Sequence, residues 1–243
     1  KHVEKYPLKN LKAGQGIYIL SPDELVEKGI SPTDPNVKPW FKNSDISKYW
    51  AESKVESYLL YFKDLKEKQP ISMAVKQHFD SLKEILIDRL TVCKKNKIQW
   101  NIVSKWIDRG EFYLLFYPRK PEVFEGEKII APQRSKKNTF GYTSNPWYAS
   151  ADVYFITNSK PSYPLKFILG VLNSRLIFSW LHNRGKRKGD MLELYQEPLA
   201  KIPLPTITNE NRKDVESVIK LVDTALSLRA SNKDVNLNEV EDS

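Results

Sequence analysis

Cysteine is nearly missing from this chain of 243 residues: Cys93 stands alone, which excludes an internal disulfide and any multi-thiolate zinc site. Histidine is almost as scarce. His2, His78 and His182 are far apart in sequence, a poor start for histidine-based metal chemistry, and we assign no metal ligand. Long apolar runs are also lacking. The opening "KHVEKYPLKNLKAG" has no apolar stretch fit for a signal peptide. The most apolar segment, "PLKFILGVLNSRLIFSWL" (164–181), is interrupted by Lys166, Asn173, Ser174 and Arg175, which argues against a membrane span. The expectation is a soluble protein of a reducing compartment, the cytoplasm, without a membrane partner.

Positive charge and aromatic residues are what the chain has in plenty. It carries 39 Lys and Arg against 30 Asp and Glu, a net charge of +9. The last thirteen residues, "SNKDVNLNEVEDS", hold one Lys and four acids, so residues 1–230 carry +12. Such a field draws polyanions, nucleic acid above all. With 40% apolar and 12% aromatic residues, the chain can also bury a core.

Alternating apolar and aromatic residues predict strands at "QGIYIL" (15–20), "SYLLYF" (57–62), "EFYLLFYP" (111–118), "KIIAPQ" (128–133) and "DVYFIT" (152–157), with the Pro and Asp positions between the first two in loops. Apolar residues at three- and four-residue spacing predict three helices. The first covers about 71–90, with Pro70 in its first turn. The second runs from Pro164 to about His182 and stops before the basic run "RGKRKG" (184–189). The third carries Val215, Val218, Ile219, Val222 and Leu226 and is entered through the capping residues of "TNENRKD". The expected fold is α+β, a mixed sheet with C-terminal helices packed on or beside it. One domain over 1–230 and a disordered acidic tail over 231–243 complete the reading.

Candidate chemistry is thin. Asn145-Pro146-Trp147-Tyr148 is close to the Asn-Pro-Pro-aromatic tetrapeptide with which amino-group DNA methyltransferases hold a flipped base. Its third position is Trp147, and Gly14 and Gly16 precede a strand instead of following one as a nucleotide-binding turn requires; the tetrapeptide reads as a turn. A Mg²⁺-dependent nuclease can be assembled from Pro22-Asp23 and Asp64-Leu65-Lys66, a loose pattern in a chain rich in Lys and Asp. It is kept as an alternative, and no catalytic residue is assigned. Basic segments interleaved with aromatics are the better signal. In "RSKKNTFGYTSNPWY" (134–148), Arg134, Lys136 and Lys137 suit phosphates, while Ser135, Asn138 and Tyr142 sit where a loop can reach DNA. In "KKNKIQWNIVSKWIDR" (94–109), Lys94, Lys95 and Lys97 form a second candidate patch.

Several segments, in order, resemble the C-terminal specificity domain of TaqI-type adenine DNA methyltransferases and fused type IIG restriction-modification enzymes. They are "VKPWFKNSDISKYW" (37–50), "HFDSLKEILIDR" (78–89), "EFYLLFYPR" (111–119), "KIIAPQRSKKNTFGYTSNPWYASADVYFIT" (128–157), "LKFILGVLNSRLIFSWL" (165–181) and "GDMLELYQEPLAKIPLP" (189–205). Asn43-Ser44 stands where the family commonly has Arg-Gly, so no role is carried over from that Arg. The resemblance implies a non-catalytic target recognition domain that clamps double-stranded DNA. The S-adenosylmethionine site and the methylating or cleaving activities would lie in an N-terminal methyltransferase or nuclease domain or subunit. On such a module Arg184, Lys186, Arg187 and Lys188 read as a phosphate-contacting loop. A domain that only docks on such a subunit is the remaining alternative.

Overall fold

The computed structural model describes residues 16–64, 69–88, 100–157, 160–238 and 240. They fall into two compact units, one of residues 1–40 and 55–119, the other of residues 41–54 and 120–243.

In the first unit, Tyr58–Leu60 is the central strand between Ile19–Leu20 and Val37–Phe41, antiparallel to both. Leu20 opposes Tyr58, and Val37 opposes Leu60. The Pro and Asp positions after the first strand, predicted as loop, instead form a short helix, Pro22–Glu27. Its cause is local: the Ser21 hydroxyl accepts from the Glu24 amide at 3.2 Å and the Glu24 carboxylate accepts from the Ser21 amide at 2.8 Å, a reciprocal cap. The predicted 71–90 helix is cut. It starts at Met73, after the Ser72 cap, and pauses at Leu82 before residues 83–88 resume it. Pro70 lies outside its first turn, where its carbonyl accepts from Asn36 Nδ2 at 2.7 Å.

Residues 111–118 form no strand, which corrects that expectation. Phe112, Tyr113 and Leu114 are all buried in succession. They complete an aromatic core: Phe79 stacks on Tyr113 at 5.2 Å, and Phe62 meets both edge-on. His78 is buried beside them, its Nε2 2.8 Å from the Ile17 carbonyl. Burial pushes its pKa below the ordinary histidine value.

The second unit holds the predicted strands at 128 and 153. Lys128–Pro132 is the centre of an antiparallel sheet, flanked by Val153–Ile156 and Gly141–Thr143. The chain therefore has mixed short sheets and C-terminal helices, the α+β class expected. The single helix predicted over 164–182 is two, Leu165–Asn173 and Arg175–Arg184, separated by Ser174 in extended conformation at ψ 157°. Ser174 caps the second helix, accepting from the Ile177 amide at 3.2 Å. The predicted third helix spans Arg212–Ser231. It packs closely on Leu165–Asn173 at Gly170, where a Cβ would fall 2.7 Å from Val218. From 231 onwards the chain was expected as a disordered tail, yet Leu237 is buried in the same core and Val235 and Val240 pack against it.

One buried group in this unit is charged chemistry in an apolar place. Lys128 is 0% exposed, and its ammonium donates to the carbonyls of Gly126 at 2.5 Å and Asn145 at 2.7 Å. Burial lowers its pKa to about 8. These bonds brace the Asn145–Tyr148 turn, whose Trp147 stacks on Phe41 at 4.8 Å and whose Tyr148 stacks on Phe124 at 4.4 Å. Trp147 and Tyr148 are both buried, so this tetrapeptide is a core-anchored turn.

Candidate nucleic-acid interface

Helix Arg175–Arg184 ends at Gly185, whose amide donates to the Leu181 and Trp180 carbonyls at 3.0 and 3.2 Å. The chain then becomes a hairpin, Arg187–Lys188 against Met191–Glu193, through the two-residue turn Gly189-Asp190. Gly189 has φ +59°, the left-handed backbone that a glycine in the first position of such a turn supplies. The third strand of this sheet is Arg134–Ser135, with Ser135 opposite Leu192 and Arg134 opposite Glu193. Two basic segments about fifty residues apart in sequence are thereby strands of one sheet. Leu192 and Leu194 enter the core and anchor it. Glu193, between them in sequence, is also buried and meets Arg134.

The cations divide into two groups. Arg134 donates through Nε to Glu193 Oε1 at 3.2 Å, and its Nη2 forms an ion pair with the same oxygen at 3.2 Å. Lys186 lies 3.9 Å from Glu193 Oε2, bonds the Tyr195 hydroxyl and sits 5.0 Å from the centre of that ring. The Tyr195 hydrogen bond is the main cause of a Lys186 pKa above the ordinary lysine value. Arg187 Nη1 is 2.9 Å from His182 Nε2, a contact in which the guanidinium can only donate. By contrast, the side chains of Lys136, Lys137, Arg184 and Lys188 are exposed and have no hydrogen-bond or ion-pair partner among the described residues.

Three predicted loop residues serve the loop itself. Ser135 Oγ lies 2.8 Å from Thr139 Oγ1. The Tyr142 hydroxyl donates to Glu127, and burial first, then that carboxylate, raises its pKa. Asn138 was expected to face DNA but is buried, its amide donating to the carbonyls of Leu172 at 2.8 Å and Ser174 at 2.9 Å. Both of its donors are thus committed within the fold. Asn173 completes the lock, accepting from the Phe140 amide at 3.1 Å and donating to the Phe140 carbonyl at 2.9 Å. Buried polar groups satisfied in this way rigidify a loop. The loop end at 138–140 is thus tied to the helix break at 173–174.

Lys94, Lys95 and Lys97 lie outside the described residues, as does Lys66 of the nuclease pattern. Asp64 of that pattern accepts from Trp106 Nε1 at 2.8 Å and from Arg109 Nη2 at 2.9 Å, one bond to each oxygen. Both of its oxygens are thus engaged within the first unit. Among the described residues no group of three His, Cys, Asp or Glu side chains could hold a metal, and no helix is long and apolar enough to cross a membrane. The residue that sequence reasoning missed is Glu193. Its only signal was an acid between Leu192 and Leu194 in an otherwise apolar alternation.

Residues 38–204 match the TaqI-like C-terminal specificity domain. Over 125 residues the chain is 30% identical to the type II methyltransferase M.HindII of Haemophilus influenzae, covering 46% of this chain and 24% of that protein. Its fold is similar to part of the type IIL restriction-modification enzyme MmeI, solved in complex with DNA, with a TM-score of 0.53 at 13% identity over 93% of this chain and 28% of that one. Comparison with the type IIG restriction endonuclease BpuSI gives a TM-score of 0.48 at 12% identity over 89% and 24%. The chain spans about a quarter of the length of these relatives. With a family match running through both units, it belongs to the TaqI-like C-terminal specificity domains.

Proposed function

We propose that this domain selects a short sequence in duplex DNA for a restriction-modification enzyme. Methyl transfer to an adenine, and any strand cleavage, would be performed by a domain or subunit outside this chain. Family membership points to specificity. The observation that carries the reading is the sheet that joins Arg134–Ser135 to Arg187–Lys188 and leaves Lys136, Lys137, Arg184 and Lys188 unpartnered among the described residues. Unpaired cations on a rigid frame neutralise phosphates, release counterions and set the register in which other side chains meet base edges.

The methyl donor expected for such an enzyme, S-adenosylmethionine, would bind in the associated methyltransferase domain. Gly16, which precedes its strand instead of following it, donates its amide to Glu24 Oε1 at 3.1 Å.

Titration of labelled duplexes at stepped salt is the test. Log K should fall by roughly 0.9 per phosphate contact per log unit of salt, with a subset of sequences held more tightly than the bulk. Equal, weak binding to all duplexes and single strands at physiological salt would overturn the proposal.

A further inference from the structure

Arg134 differs from the free cations around it. Its guanidinium is held side-on, Nε and Nη2 both on Glu193 Oε1, so Nη1 has no partner among the described residues and the end-on edge of the fork remains open. The Glu193 side chain is only 9% exposed while that of Arg134 is 43% exposed. The carboxylate is therefore a buried support and the arginine head meets solvent. Backbone pairing reinforces this geometry, because Arg134 and Glu193 are directly opposite in the sheet and Glu193 is pinned on its other side by the main-chain bond to Lys186 O at 2.9 Å.

We propose that Arg134 is a base-reading residue that donates its end-on pair of N–H groups to the major-groove edge of a guanine, and that Glu193 is the positioning residue that aims it. This rests on the DNA-recognition reading above and sharpens it from contact to readout. Guanine places two acceptors, O6 and N7, side by side in the major groove, and a guanidinium matches them with two parallel donors. A phosphate can accept the same fork, but Glu193, which Lys186 shares at 3.9 Å, offsets part of the charge of Arg134, and a neutral base edge needs no net positive charge to accept the two donors. Lys136, Lys137, Arg184 and Lys188, with no such carboxylate, are suited to the backbone. Holding the arginine before DNA arrives also removes rotamer freedom that would otherwise be lost on binding.

The test is enrichment of bound duplexes from a randomised library, using the whole 243-residue chain and the variants Arg134→Ala, Arg134→Lys, Glu193→Gln and the combined Lys136, Lys137, Arg184, Lys188→Ala. Wild type should enrich a motif containing one G·C pair whose preference falls roughly ten- to hundredfold in Arg134→Ala, the other positions being kept. Arg134→Lys, which keeps the charge and loses the fork, should lose it too, and Glu193→Gln should weaken that position alone while melting close to wild type. The combined variant should bind every duplex more weakly with its motif unchanged. An arm that needs no folded variant replaces the guanine with 7-deazaguanine. Wild type should then lose about tenfold in affinity. An unchanged motif in Arg134→Ala, an equal loss on all sequences, or indifference to 7-deazaguanine overturns the proposal while leaving DNA recognition standing. Failure of wild type to enrich any motif overturns both.

Discussion

Two arginines with acidic partners, one in each unit, behave differently. Arg109 in the first unit sits between two carboxylates, donating to Asp64 at 2.9 Å and through Nε to Glu111 at 2.6 Å. Arg134 in the second unit has one carboxylate and an open edge. The first arrangement carries excess negative charge and satisfies donors from two directions, so it works as a brace. The second has a single carboxylate, shared with Lys186, and leaves one edge of the guanidinium open, so it can accept a further partner. Partner count, more than exposure, separates them, since both side chains are about equally exposed at 47% and 43%.

The largest effect is expected where cations have no partner at all. Replacing Lys136, Lys137, Arg184 and Lys188 together with Ala should make the slope of log K against log salt shallower by roughly 3.6, at about 0.9 per phosphate contact, in a titration with duplex DNA. A slope unchanged from wild type would remove these residues from the interface.

Next is the buried cation of the second unit. Lys128 has a folded pKa of about 8 against 10.5 unfolded. Between those values the unfolded chain binds a proton that the folded chain does not, so stability rises with pH across that window, by up to about 3 kcal/mol. Denaturant melts from pH 8 to 10.5 measure this, and Lys128→Met should abolish the rise.

The two arginines can then be set against each other directly. Arg109→Ala leaves the nearly buried Glu111 without its charged partner and should cost about 2 kcal/mol in stability, with duplex affinity within about twofold of wild type. Arg134→Ala should do the reverse, costing less than about 1 kcal/mol because Lys186 remains near Glu193, while altering sequence preference. If both variants changed stability alike and neither changed preference, the contrast would collapse. Asn138→Ala should cost about 1–2 kcal/mol for the two lost bonds to the 172–174 turn, no more than Arg109→Ala, as followed by thermal melting.

Much of the frame was legible along the chain. Strand alternation located Lys128–Pro132 and Val153–Ile156, which pair with each other, and apolar spacing located the helix that spans Arg212–Ser231. The misses share a cause. Periodicity bridged Asn173-Ser174 because the apolar stripe continues across them, while the structure breaks the helix there so that Asn173 can bond Phe140. In 111–118 the aromatic content suggested a strand, but the segment joins no sheet among the described residues and its aromatic rings pack into the core of the first unit instead. The Pro22–Glu27 helix was missed despite a capping-box pattern in plain view, Ser21 followed by Glu24 three residues on.

The candidate site divides in the same way. An excess of cations, their grouping at 134–137 and 184–188 and the ordered family motifs are properties of neighbouring residues, and reading the chain suffices to find them. Which cation is held, which is free and which polar residue is turned inward depends on partners distant in sequence. Glu193 meets Arg134 across 59 residues and Asn138 meets Leu172 across 34. Hydrogen-bond and ion-pair energies fall steeply with distance and angle, so a role that rests on one partner is settled only when the fold places that partner within about 3 Å.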